Sequence, residues 1–120
     1  MADTLRSNFD ISNGTTAVEL STVANSATTY QTILSISLCN THTTQDHTFD
    51  IYIKDVIGGH DGGGANTSYY LYITQSLPAL STFIHNDKIM LQNDEELWMV
   101  LDSGTQGSAV HIITSYLEQT

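Results

Sequence analysis

The chain has 120 residues, of which 40% are hydrophobic and only 13% charged, a length that suits one domain with a single modest core. Thirteen Asp and Glu against three Lys and Arg leave a net charge of −10. Arg6, Lys54 and Lys88 cannot build a phosphate-neutralising patch, so this balance excludes nucleic acid as a partner and disfavours an anionic membrane.

In chain order, period-two alternation predicts strands over residues 15–23, 32–40, 47–54, 68–74, 81–84, 89–91, 96–101 and 109–118. In the first, Val18 and Leu20 oppose Ala17, Glu19 and Ser21. In the second, Leu34, Ile36 and Leu38 oppose Ser35 and Ser37. Phe49, Ile51 and Ile53 then oppose Asp50, Tyr52 and Lys54, and Tyr69, Leu71 and Ile73 oppose Tyr70 and Tyr72. Residues 1–14 are expected as an N-terminal arm or an edge strand, with Asn13-Gly14 as a hairpin turn into the next strand. Residues 40–46 read as a polar loop. Residues 58–66, with five of the eight glycines, read as a flexible one. Pro78 should lie outside a central strand, and 102–107 should be a tight connection. Asp94-Glu95-Glu96 reads as a solvated turn before a strand. No window sustains a helical apolar stripe, and abundant Ser and Thr favour strands over helices. The expected architecture is all-β: one antiparallel β-sandwich over 1–120, jelly-roll-like, with about eight strands.

Some strands are apolar on both sides. Leu97, Met99 and Leu101 share one face, but Trp98 and Val100 occupy the other. In the last strand Val110 and Ile112 oppose Ile113 and Leu117. Tyr52, Tyr70 and Tyr72 also fall on faces expected to point outward. A half-wet antiparallel strand does not have this composition, so either loops or another subunit must cover these faces, and oligomerisation is the preferred expectation. Trp98, Tyr70, Tyr72, Tyr52 and Ile113 are therefore the candidate interface residues, because large aromatic and aliphatic groups anchor interfaces. His60 and Asp61 join them, in a glycine-rich loop able to reach a neighbour.

No motif carries chemistry. His42, His47, His60, His85 and His111 form no ligand-pair spacing, and loop histidines of this kind are expected to be solvated. The run Gly59-His60-Asp61-Gly62-Gly63-Gly64 lacks the Lys and the following helix of a phosphate loop. There is no nucleophile elbow and no calcium-loop run. Thus no catalytic residue, metal site or cofactor is expected. The lone Cys39 can form no intramolecular disulfide and is expected as a small buried apolar residue. Residues 1–10 lack the basic and apolar regions of a secretory signal, and no apolar run approaches a membrane span.

The order of segments resembles small virion proteins of tailed bacteriophages. The segments are the alternating strand within residues 28–41, the strand 49–54, and the strand-turn-strand passage 72–81 around Pro78. The basic-aliphatic strand meeting an acidic turn at 88–97 follows, then the closing strand 112–118. The resemblance spans residue 30 to the C-terminus; the glycine-rich loop at 58–64 and the acidic surface depart from it. It implies a many-copy, non-enzymatic virion part, assembled in the bacterial host cytoplasm. That part would be a head decoration (cement) protein that self-associates and binds the major capsid protein. Alternatives are a neck, tail or adsorption component, or a carbohydrate-binding module using its exposed Tyr and Trp rings.

Overall fold

The computed structural model describes residues 3–13, 15–23, 29–56, 64–92, 94–101 and 108–120. Among them are nine strands: β1 (Asp3–Asn13), β2 (Val18–Thr22), β3 (Tyr30–Asn40), β4 (His47–Asp55), β5 (Thr67–Leu77), β6 (Thr82–His85), β7 (Ile89–Gln92), β8 (Glu95–Leu101) and β9 (Ser108–Gln119). All pairings are antiparallel. One sheet runs β1-β9-β3, with β6 and β7 both on the far side of β3; the other runs β2-β8-β4-β5.

Because β7 pairs with Tyr30–Ile33 and β6 with Ile36–Cys39 of the same strand, the two occupy a single strand position. The sandwich therefore has eight positions; the eight strands read from alternation are β2 to β9, with β6 and β7 counted apart and β1 left out. Their pairing is nested: β1 with β9, β2 with β8, β3 with β6 and β7, and β4 with β5. A long antiparallel hairpin rolled into two sheets has this order, which is the jelly roll.

The nesting overturns the hairpin expected at Asn13-Gly14. β1 and β2 lie in different sheets, so the chain crosses between layers there; Gly14 itself lies outside the described residues. β1, over Asp3–Asn13, borders the five-stranded sheet. The loop at 58–66 and the connection 102–107 fall largely or wholly outside the described residues.

The core lies between the sheets, built on Leu20, Ile33, Ile36, Leu38, Phe49, Ile51, Leu97, Met99 and Ile112. An aromatic chain crosses it. Phe49 of β4 meets the edge of Phe83 of β6 at 4.9 Å, and Phe83 meets Tyr72 of β5 at 5.0 Å. Tyr72 Oη then lies 2.6 Å from Nδ1 of His85. Tyr72 thus points inward, correcting the outward orientation expected for it.

β-bulges explain this and other phase errors, because one extra residue turns all that follows to the opposite face. Between Ile33 and Ser35 the register slips, so Ile33 is buried and Leu34 is displaced from the core. Between Glu19 and Ser21 another slip buries Ser21 along with Leu20. β5 carries two slips against β4, leaving Leu71 and Ile73 exposed instead of buried. Cys39 is half-buried on an outward position, not in the core. His47 and His85 are buried, contrary to the solvated state expected of them. Nor are the acidic residues at 94–96 merely solvated: Glu95 opens β8, and its Oε1 accepts the backbone N–H of Gln92 at 2.8 Å.

The slip in β5 places Thr74 at φ 51, a left-handed conformation that a β-branched residue adopts only under strain. Its N–H donates to Asp50 Oδ1 at 2.7 Å, which holds the bulge. Because Asn tolerates this region, Thr74→Asn is expected to stabilise the fold by about 0.5–1 kcal/mol, read from chemical denaturation. A loss of stability would show that the threonine side chain contributes more than its backbone strain removes.

Candidate interaction surfaces

Three of the candidate residues meet on the outer face of the four-stranded sheet. Tyr70, Tyr52 and Trp98 stand in register across β5, β4 and β8, and Glu19 of β2 completes the row. The rings of Tyr52 and Tyr70 are 5.2 Å apart and tilted by 44°. In the adjacent row Lys54 faces Glu96. Lys54 Nζ lies 6.0 Å from the centre of the Trp98 ring, and Trp98 Nε1 donates to Glu96 Oε1 at 2.9 Å.

This face is acidic. Partial burial raises the pKa of Glu19 first, and the charges of Glu96 and Asp10 and a hydrogen bond from Glu96 raise it further, against an opposing pull from Lys54. Asp10 is raised by burial alone. Burial, then Tyr70, Asp50 and Glu96, likewise lift the Tyr52 phenol above its usual value. A carboxyl whose folded pKa exceeds its unfolded value favours folding most when protonated. Its stabilisation is complete below the unfolded value and is lost as pH rises through the folded one. Stability is therefore expected to increase as the pH falls from neutral toward the carboxylate range. Glu19→Gln should raise the melting temperature at pH 7 and flatten that dependence; an unchanged slope would remove Glu19 as its source.

The five-stranded sheet presents a different outer face. Ile113, the fourth candidate, stands there in a row with Phe9 of β1, Ser37 of β3 and Ile84 of β6. A second row holds Leu5, Leu117, Thr32 and Met90. Between them Ser7, Ser115 and Ser35 form a row of small side chains. The remaining row is Ile11, His111, Cys39 and Thr82. Phe9 is 74% and Leu5 73% exposed, Ile11, Ile84 and Met90 are more than half exposed, and Ile113 is 43% exposed. Two shallow hollows open on this face. One, of about 350 Å³, is lined by Leu5, Arg6, Ser7, Leu34, Ser115 and Tyr116. The other, of about 320 Å³, is lined by Phe9, Asp10, Ile11, His111, Ile112 and Ile113.

The candidates thus divide. Trp98, Tyr70 and Tyr52 share one face, Ile113 lies on the opposite side of the sandwich, and Tyr72 is inside. His60 and Asp61 lie outside the described residues. Sequence reasoning missed Leu5, Phe9 and Ile11, although with Ser7 they alternate at period two within residues first taken as an arm or edge. Ile84 and Met90 were missed because their strands are only four residues long. Among the described residues, no group of three or more His, Cys, Asp or Glu is placed to hold a metal ion.

No protein-family model and no curated protein matches the chain. Solved structures do. A chain of the infectious bursal disease virus T13 particle superposes with a TM-score of 0.55 at 9% identity, covering 97% of this chain and 30% of that one. A chain of the Gx strain of the same virus gives 0.52 at 12% identity, covering 97% and 31%. The present chain therefore spans about a third of the length of these viral chains. The xylan-binding domain CBM22-1 of Paenibacillus barcinonensis Xyn10C is fainter, at 0.47 and 11% identity over 98% of this chain and 84% of that one. At these identities the likeness to the viral chains shows the fold alone: an all-β sandwich of the kind found in virus particles.

Proposed function

We propose that this chain is a non-enzymatic structural protein of a virus particle, and specifically a head decoration (cement) protein of a tailed bacteriophage. The observation that carries the reading is the uncovered apolar outer face of the five-stranded sheet. Soluble monomers seldom leave so many large apolar side chains uncovered on one sheet face, and a shell component covers them on assembly. The shared sandwich fold of viral-particle chains and the segment order noted in the sequence support the same reading. The partners would be further copies and the major capsid protein, in virions assembled in the bacterial host cytoplasm. Each contact is weak by itself, but attachment at many points multiplies the hold of the lattice.

The acidic face with Tyr70, Tyr52 and Trp98 is then the surface turned toward a different neighbour. Purified particles imaged at subunit resolution test the reading. Regular copies over the head surface are the expected result. Density confined to a ring or fibre would make the chain a neck, tail or adsorption component, and absence from particles would overturn the virion role.

One observation favours a second reading. The Tyr70–Tyr52–Trp98 row, with Asp50 and Glu96 beside it, offers rings to stack on sugars and carboxylates to accept their hydroxyls. A glycan array tests this: binding abolished by Trp98→Ala with the fold retained would make the protein a carbohydrate-binding module, whereas no bound glycan would dismiss it.

A further inference from the structure

We infer that the outer face of the five-stranded sheet is a self-association surface, and that its occupant is a second copy of this chain packed face to face. The inference deepens the structural-protein reading and rests on it, by naming what covers that face. Three observations select a second copy.

The first is area. The exposed parts of Leu5, Phe9, Ile11, Ile84, Met90 and Ile113 amount to on the order of 700 Å², close to the roughly 800 Å² each partner contributes to a standard stable interface. That exceeds the few hundred Å² of apolar patch usual on a monomer.

The second is charge. Two copies of a chain with net charge −10 repel wherever their carboxylates meet. The outer face of the other sheet carries Asp50, Glu19 and Glu96, so like copies are opposed there. At the outward positions of its strands, from the Leu5 row to the Ile11 row, the present face carries no carboxylate; Asp10 lines the hollow beside Phe9 and Ile11, and Asp3 and the exposed Asp87 border the face. This is the side on which identical copies approach with the smaller penalty.

The third is shape. The ridge formed by Phe9, Ile113 and Ile84, lowered at Ser37 between the last two, runs beside the trough formed by Ser7, Ser115 and Ser35, two residues or about 7 Å along the strands. The trough contains the hollow of about 350 Å³ with Leu5 and Leu34 in its walls. A two-fold axis between two copies sets each ridge against the other's trough, so one surface supplies both halves of the fit.

Sedimentation equilibrium of the full chain, whose monomer mass is 13.1 kDa, tests the inference. A dimer or a higher even-numbered assembly at tens of micromolar protein is expected. Phe9→Asp and Ile113→Asp, each placing a carboxylate on the face, should weaken association at least about tenfold, while Trp98→Ala on the opposite side leaves it unchanged. Thermal melts report whether each variant folds. If Phe9→Asp or Ile113→Asp fails to fold, Ile84→Asp at the other edge of the same face takes its place. A wild type that remains monomeric overturns the inference, as does an assembly that survives these changes or dissociates only with Trp98→Ala. Co-sedimentation with purified particles separates the two readings. A monomer that still joins particles overturns the self-association surface and leaves the virion role standing. A dimer sensitive to Phe9 that never joins them supports the surface and overturns the role.

Discussion

Phe49→Ala is expected to destabilise the fold by about 3–5 kcal/mol and to lower the melting temperature by roughly 10–20 °C. Phe49 is fully buried on β4 and begins the aromatic chain that reaches across the sandwich. Its ring meets Phe83 from the other sheet edge-on at 4.9 Å and lies 6.3 Å from Tyr72. Truncation removes the transfer free energy of a whole ring and leaves a cavity that rigid sheets collapse only in part. Phe49→Leu separates the contributions, because it retains most of the buried volume and loses the edge-to-face contacts, worth about 0.5–1.5 kcal/mol. Denaturant unfolding reads both. A loss below about 1 kcal/mol for Phe49→Ala would mean that the two sheets repack freely, contrary to a core held by this bridge.

The second large effect is expected at Asn40, the fully buried last residue of β3. Its Nδ2 donates to the carbonyls of Gln45 at 2.9 Å and Leu77 at 3.1 Å, and its Oδ1 accepts the N–H of His42 at 3.0 Å. Its own N–H donates to the carbonyl of Ser81 at 2.9 Å. One side chain thus fastens the 41–46 segment to the end of β5, while its backbone holds the turn after Pro78. Asn40→Ala removes three hydrogen bonds and strips their partners, at a cost of about 2–4 kcal/mol. Asn40→Asp should cost at least as much at pH 7, because a carboxylate would face two carbonyl oxygens and lose both donors. Such a carboxyl has its pKa raised in the folded state, so this variant should regain stability as the pH falls, whereas Asn40→Ala should not. Equal losses for the two at every pH would show that Asn40 acts by packing alone.

Much of the fold was legible in the residues. The alternation of Phe49, Ile51 and Ile53 against Asp50, Tyr52 and Lys54 identified β4 and its faces, because period two is a local property of an extended chain. The same held for β8 and β9. Where a bulge intervened, local reading failed: Leu34, Tyr72, Leu71 and Ile73 were all assigned to the wrong side. A slip costs little locally and is selected by what the displaced residue meets in the partner strand and the opposite sheet. The aromatic row of Tyr52, Tyr70 and Trp98 was recovered because those residues sit in phase with their strands. The Leu5–Phe9–Ile11 face was not, because an edge strand offers no turn signal to mark it.

The sequence by itself determined an all-β chain of alternating strands with a net charge of −10. Composition and short-range periodicity suffice for those conclusions. Only the tertiary structure decided which strands pair. Asp3 meets Gln119, and Val18 meets Met99, through contacts whose energy depends on distant residues that local pattern does not encode. That nested pairing decided which apolar residues gather on one face. It sends Ile113 to the more apolar side and Trp98 to the more acidic one, a separation that a list of outward-facing hydrophobic residues does not contain.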